Sequence, residues 1–209
     1  MTPISLQQMK IIVIENNYPQ NPATTAGSND PIVYTLPDTA LLKDHRPFFV
    51  PDFADPCTFQ LHLVARICRL GRSISPRYAH RYYDAVTVGV TFTAENLLQD
   101  LKAKGLPWEL SKGFDGAAAL GSFLSIDQLE NYLELPFTLK GNDELLQTGM
   151  GKDMLTGIDQ LIADLSQYYT FKQGDFLFTG CPGLPTTAVC NTHITGYIGE
   201  EKLLSFNIK

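Results

Sequence analysis

The sequence lacks the features that mark several large classes of protein. Its 16 basic residues are outnumbered by 22 acidic ones, and the net charge of −6 argues against binding to a phosphate backbone. No apolar run approaches the roughly 20 residues that a membrane-spanning helix needs. The first residues contain no basic region followed by an apolar stretch, so we expect a cytoplasmic protein. Neither a nucleic acid nor a membrane is an expected partner.

Cysteines and closely spaced carboxylates are also scarce. The four cysteines, at positions 57, 68, 181 and 190, lack the spacing of a zinc site and are too sparse for a disulfide scaffold. We therefore expect reduced thiols. No two of the 22 acidic residues stand two positions apart. Because side chains on a strand alternate between its faces, no strand can present two neighbouring carboxylates on one face.

The residues that are present indicate one globular α+β domain. The chain has 209 residues, of which 44% are hydrophobic and 18% charged, and this suits a single core. Alternation over residues 59–67 predicts a strand with one buried face. Strands outnumber helices and no β-α-β rhythm repeats, which favours an α+β fold over a doubly wound one. The other predicted strands cover residues 10–14, 85–93 and 176–179, with two more in 193–209.

Two helices are predicted from periodicity and capping. Residues 94–104 would form a helix that has Thr93 as N-cap and stops at Gly105. Residues 153–167 carry one apolar stripe, and Asp153 is placed to cap them. Residues 15–30, rich in Asn, Pro, Thr and Gly, are predicted to form a loop or flap.

Four segments resemble, in their order, the motifs of the fumarylacetoacetate hydrolase family. Residues 87–99 (TVGVTFTAENLLQ) resemble the family's TVGNDVTARDLQ, and residues 108–121 resemble WxxxKxFD…PLGP. Residues 174–182 (GDFLFTGCP) resemble GDVIxTGTP, and residues 147–166 fall where the family has QxxxTxDMxF…ELIAxxS. The resemblance covers about residues 10–209.

This resemblance implies a mixed β-roll or β-sandwich of the fumarylacetoacetate hydrolase C-terminal-domain type, with a few short helices. The whole chain, 1–209, would be one domain, in which 1–55 form an N-terminal strand and flap region and 56–209 the main β-roll. Family members are usually homodimers. They bind Mg²⁺ or a similar cation and act on β-diketo or 2-oxo acids by C–C hydrolysis, decarboxylation or isomerisation.

The resemblance also implies a metal held by three carboxylates, and this sequence departs from it there. The Glu-x-Glu strand of the family reads Gln60-Leu-His62, and the Asp of its GND motif is Thr91. Hard cations prefer carboxylate oxygens. We therefore expect no cofactor, and Mg²⁺ or Mn²⁺ only if other ligands rebuild the site. The flap Arg and His of the family are absent as well.

The remaining family positions outline a pocket. Lys112 is the candidate catalytic residue, as a cation facing a carboxylate or an enolate oxygen; it could equally be a structural lysine paired with an acid such as Asp115. His62 could be a base or a ligand of a softer metal, but a hydrogen-bonded structural role is the commoner one. Cys181 could be a nucleophile or an unreactive small residue. The predicted pocket comprises Tyr18, Gln60, His62, Thr91, Asp115, Thr179, Gly180 and Cys181.

Two functions stay open on this basis. One is an enzyme of family type with an altered centre, acting on a small oxo acid or similar anionic metabolite. The other is a non-catalytic descendant, either a dimeric scaffold or a metabolite-binding protein. The sequence leaves open whether any catalysis remains.

Overall fold

A computed structural model of the protein describes residues 9–19, 31–42 and 46–209. This part of the chain contains twelve strands and four short α-helices. The strands are β1 (Ile11–Glu15), β2 (Ile32–Leu36), β3 (Cys57–Ile67), β4 (Tyr83–Ala94), β5 (Ala118–Leu120), β6 (Leu124–Ser125), β7 (Pro136–Gly141), β8 (Glu144–Met150), β9 (Phe176–Phe178), β10 (Thr186–Thr187), β11 (His193–Ile198) and β12 (Glu201–Asn207). The helices are α1 (Pro76–Ala79), α2 (Glu95–Ala103), α3 (Glu109–Lys112) and α4 (Ile158–Leu165).

The strands form two sheets. The larger has the order β2-β1-β9-β3-β4-β5, with β10 paired to β3 and β6 to β4; the smaller has the order β12-β11-β7-β8. Every pairing is antiparallel except that of β1 with β9. Mixed sheets with few short helices confirm the predicted α+β class.

The main core lies between the two sheets. Every second residue of β3 and β4 faces it, and the register sets Phe59 opposite Phe92 and Leu61 opposite Val90. Phe137 of β7 and Ile194 of β11 contribute from the smaller sheet. The sheets approach closely, since a Cβ at Gly196 would lie 2.7 Å from a methyl of Val88.

A second apolar cluster covers the opposite face of the larger sheet. It includes Ile11 and Val13 of β1, Val64 of β3 and Phe178 of β9. The prediction of one buried face for residues 59–67 is therefore wrong, because His62 and Val64 on the outer face are as buried as the core residues. Residues from other segments of the chain cover these side chains. The local pattern of residues 59–67 gives no indication of that cover.

Both predicted helix starts are wrong. Thr93 belongs to β4, and α2 begins after Ala94 without a side-chain cap. The second helix, α4, begins at Ile158 after Gly157, not at Asp153. Residues preceding it are held by Asn17, whose Oδ1 accepts the amide of Thr156 at 2.8 Å. This long-range contact competes with helix formation.

Several predicted boundaries shift, and some strands were not predicted. Glu15 ends β1 instead of opening a loop, and residues 20–30 of the predicted flap lie outside the described residues. Strand β2 and the β7–β8 hairpin had no prediction. The strands at 57–67, 83–94 and 176–178 and the pair within 193–207 agree with the sequence patterns.

Candidate functional site

The outer face of the larger sheet carries a polar cluster formed by alternation on three strands. Glu15 follows Ile11 and Val13 on the same face of β1. Gln60 and His62 share that face of β3. The register places Gln60 opposite Thr91 of β4 and Thr58 opposite Thr93. We call this cluster, which consists of Glu15, Gln60, His62, Thr91, Thr93 and Lys112, the polar site.

Lys112 pairs within the polar site with a carboxylate on β1, a strand near the N-terminal end of the sequence. It ends the one-turn helix α3, its side chain is 6% exposed, and its Nζ donates to Glu15 Oε1 at 2.6 Å. The same Nζ donates to Thr93 Oγ1 at 3.1 Å. Tyr34 of β2 donates its hydroxyl to Glu15 Oε1 at 3.2 Å, and its ring centre lies 5.5 Å from the Lys112 ammonium. Thr93 of β4 and Tyr34 of β2 therefore orient the ion pair that joins α3 to β1.

His62 lies at the centre of the polar site as a neutral side chain. Its Nε2 is 2.9 Å from Thr91 Oγ1, and its ring meets Phe178 edge-on. Its Nδ1 is buried without a hydrogen-bond partner in the described chain. Burial, reinforced by the positive charge of Lys112, lowers the pKa of His62 to about 3. The imidazole is therefore uncharged near neutral pH.

The turn after β9 closes one side of the polar site. Gly180 has φ +122°, and a Cβ there would lie 2.8 Å from Asn17 Cβ, so the turn requires glycine. Thr179 donates its hydroxyl to the carbonyl of Leu63 at 2.9 Å. Asn17 donates to the Thr179 carbonyl at 2.7 Å, and Tyr18 is buried beside Gly180. These bonds fix the turn against β1 and β3.

Cys181 follows this turn as a buried thiol. Burial raises the pKa of Cys181 to about 12, although hydrogen bonding from Gln60 acts in the opposite direction. Burial and the charge of Glu15 raise the pKa of Tyr34 well above its ordinary value. Both groups are protonated near neutral pH, so neither is an activated nucleophile.

The structure brings together most of the residues singled out from the sequence. Gln60, His62, Thr91 and Lys112 share the polar site, and Tyr18, Thr179, Gly180 and Cys181 border it. Asp115 is different: it is exposed and makes no described side-chain hydrogen bond to Lys112. The predicted acidic partner of Lys112 is therefore the wrong one, because the backbone turns after α3 and the ammonium points back toward β1.

Sequence reasoning missed Glu15 and Tyr34. Glu15 is the only acidic residue among the first 29 and follows an apolar strand whose alternation predicts its face. That signal was available, whereas nothing in the sequence around Tyr34 marks it. In the described ranges no group of three or more His, Cys, Asp or Glu side chains converges on a point where a metal could bind. No helix in those ranges is long and apolar enough to cross a membrane.

Comparison with known proteins gives one consistent family. Residues 10–197 match the family described as Fumarylacetoacetate (FAA) hydrolase C-terminal. The chain is 27% identical over 174 residues to the Bos taurus protein named Oxaloacetate tautomerase FAHD1, mitochondrial. This alignment covers 82% of this chain and 79% of that protein.

Solved structures share the fold. A fumarylacetoacetate hydrolase family protein from Yersinia pestis superposes with a TM-score of 0.87 at 24% identity, covering 96% of this chain and 93% of the other. A fumarylpyruvate hydrolase from Pseudomonas aeruginosa, solved with Mn²⁺ and pyruvate, superposes with a TM-score of 0.82 at 20% identity, covering 96% and 89%. Because the family match spans residues 10–197, the chain belongs to the fumarylacetoacetate hydrolase C-terminal family.

Proposed function

We propose that this chain is a metabolite-binding member of its family in which the metal-dependent chemistry on 2-oxo acids has been lost. The observation that carries the proposal is the pairing of Lys112 with Glu15 at 2.6 Å beside a neutral His62–Thr91 pair. The cation of the centre is paired with a carboxylate, and the imidazole bonds to a hydroxyl. The ion pair has no net charge, so no cation is needed to balance it.

The donor atoms of the polar site do not fit a hard divalent cation. Mg²⁺ and Mn²⁺ take oxygen ligands, chiefly carboxylates. The three positions that the resemblance implies as ligands carry an amide, an imidazole and a hydroxyl, at Gln60, His62 and Thr91. The one carboxylate of the site, Glu15, is already bound by an ammonium, which would repel an incoming cation.

The proton equilibria of the site also support a loss of catalysis. A general acid or base works best when its pKa is near the operating pH. The pKa of His62 is about 3 and that of Cys181 about 12, and burial raises the pKa of Tyr18 above its ordinary value. None of these groups exchanges a proton readily near pH 7.

Lys112 supports the alternative function, an enzyme with an altered centre. It is a buried cation at the position where the family has its lysine, and it lines a cavity. A lysine in this position can bind the carboxylate of a small oxo acid in either function. We therefore keep a small anionic metabolite as the proposed ligand class in both.

Steady-state assays on the purified protein test the proposal. We expect rates with oxaloacetate and with acylpyruvates to stay far below about 1 s⁻¹, an ordinary enzyme value, in EDTA and in saturating Mg²⁺ or Mn²⁺. Lys112→Met provides the control for contaminating activity, because genuine turnover at this site would fall in that variant. Metal-dependent turnover near or above that value, lost in Lys112→Met, would contradict the proposal.

Two further expectations accompany this function. The homodimer and the cytoplasmic location both remain predictions. The name of the Bos taurus relative places that protein in mitochondria. Light scattering on the eluting protein measures the oligomeric state, and fractionation of the source cells measures the location.

A further inference from the structure

A cavity of about 430 Å³ lies beside the polar site, between the edge strand β2 and the segment that contains α3. This volume falls in the range typical of small-molecule pockets. Its walls are largely apolar and aromatic. They include Ile32, Val33, Tyr34, Trp108 and Tyr169, and the charged residues of the described lining are the buried Lys112 and the exposed Glu109. Gln60, His62 and Thr91 are not among its lining residues, so the cavity is distinct from the positions of the family metal.

Lys112 is the one basic side chain among the described residues that line this cavity. An ammonium has three N–H donors. Two are used by Glu15 and Thr93. Among the described residues no other group bonds to this ammonium, so one donor is left for a ligand oxygen.

Glu15 opposes the binding of an anion at this donor. Its carboxylate lies 2.6 Å from the ammonium and is held in place by the Tyr34 hydroxyl. A ligand carboxylate that approaches Lys112 would share one cation with Glu15, and two like charges at such distances repel strongly in a buried setting. Glu15 therefore already neutralises the positive charge of Lys112, to which a ligand carboxylate would otherwise bind.

We infer that this cavity binds carboxylic acids with an aromatic or branched apolar body, and that Glu15 sets their affinity as a built-in competitor for Lys112. The inference rests on the proposed function, since it assigns a ligand class to the same lysine. The apolar body would pack between Tyr34 and Trp108, while the carboxylate reaches the ammonium. An aryl 2-oxo acid such as phenylpyruvate has this shape and charge.

Calorimetric titration in EDTA tests the inference. We expect Glu15→Gln, which removes the charge but keeps the size, to bind phenylpyruvate at least about tenfold more tightly than the wild type, a difference of about 1.4 kcal/mol. Glu144→Gln is the matched control: Glu144 is exposed on β8 in the other sheet, so its removal should leave the affinity unchanged. The double variant Glu15→Gln/Lys112→Met should lose the gain. Pyruvate, which lacks the apolar body, should bind more weakly than phenylpyruvate.

The inference is overturned if Glu15→Gln binds no more tightly than Glu144→Gln, or if the gain persists without Lys112. Should Glu15→Gln fail to fold, Tyr34→Phe keeps both charges and releases the hydrogen bond that holds Glu15. It should then tighten binding by about two- to threefold, the equivalent of a weak hydrogen bond, and no change in that variant also overturns the inference. Because binding is measured without metal, metal-dependent turnover by the wild type would contradict the proposed function and leave this result unaffected.

Discussion

At position 62 an imidazole stands where the family resemblance implies a carboxylate. The ring is completely buried, bonded through Nε2 to Thr91, and close to the ammonium of Lys112. A buried imidazole beside a cation resists protonation, because the charged form would lose its hydration and be repelled. Protonation of His62 in the folded protein is therefore unfavourable, and a low pH should destabilise the fold.

The pKa of His62, about 3 in the folded protein, lies below its ordinary value of 6.5. The unfolded chain therefore binds more protons than the folded one between these values, so stability falls as pH decreases from about 6.5 toward 3. We expect a contribution of about 1 kcal/mol per pH unit in that window. Urea unfolding at a series of pH values should show this slope reduced in His62→Gln. The exposed His80, changed to Gln, serves as the control and should leave the slope as in the wild type.

The site could be predicted from the sequence only in part, and individual residues show where the prediction failed. The family motifs placed Gln60, His62, Thr91 and Lys112 in one pocket. In the structure the four lie in one cluster, and their role stays a prediction. The partner of Lys112 depended on the direction of a side chain after a one-turn helix, which spacing does not encode. Asp115 is near in sequence but exposed, whereas Glu15 is 97 residues away and bonded.

At the scale of elements, the parallel pair β1–β9 is a short junction of the larger sheet. It spans only three residues on each strand. Asp175, fully buried just before β9, strengthens it by accepting the amides of Lys10 and Lys172 at 2.7 and 2.8 Å. The ammonium of Lys10 adds an ion pair at 2.6 Å. One carboxylate thus joins the starts of two strands that are distant in sequence.

We expect Asp175→Asn to lower the free energy of unfolding by about 3 kcal/mol, because it leaves Lys10 without its counter-ion and weakens charge-assisted hydrogen bonds. Urea denaturation measures this change. Asp164→Asn, an exposed carboxylate on α4, should cost less than about 0.5 kcal/mol. Equal effects of the two changes would refute the role of Asp175.

Elements with strong internal periodicity were the ones that the sequence predicted well. The alternation in β3 and the β-branched run in β4 identified those strands to within a few residues. The start of α4 was missed because Asn17 bonds to the backbone before it, a contact over 139 positions. Strand β2 was missed because its partner is β1, and pairing between strands leaves little trace in the local sequence of either.

At the scale of the whole molecule, the fold is shared with proteins whose sequences are mostly different. The sheets superpose on relatives at 20–24% identity with TM-scores above 0.8. The three positions that the resemblance implies as metal ligands are outer-face residues of β3 and β4, and the inter-sheet core does not depend on them. Placing carboxylates at those positions should therefore be possible without changing the fold.

The triple variant Gln60→Glu/His62→Glu/Thr91→Asp provides a test. We expect it to be less stable than the wild type without metal, because three carboxylates crowd a buried site. At a concentration 100 times its Kd, Mn²⁺ should recover about 2.7 kcal/mol, seen as a rise in Tm of roughly 5–10 °C that EDTA reverses. The wild type should show no such rise. A wild-type Tm that increases with Mn²⁺ as much as that of the variant would mean that the present donors hold the cation.

The alternation of β3 and β4 has an evolutionary consequence. Odd-numbered positions of β3, from Phe59 to Ile67, contribute to the core between the sheets, and even-numbered ones such as Gln60 and His62 carry the polar site. Mutations at the even-numbered polar positions can therefore change the polar site and leave the core between the sheets intact. A lineage with this architecture can abandon a reaction, and later acquire a different one, without passing through an unfolded ancestor.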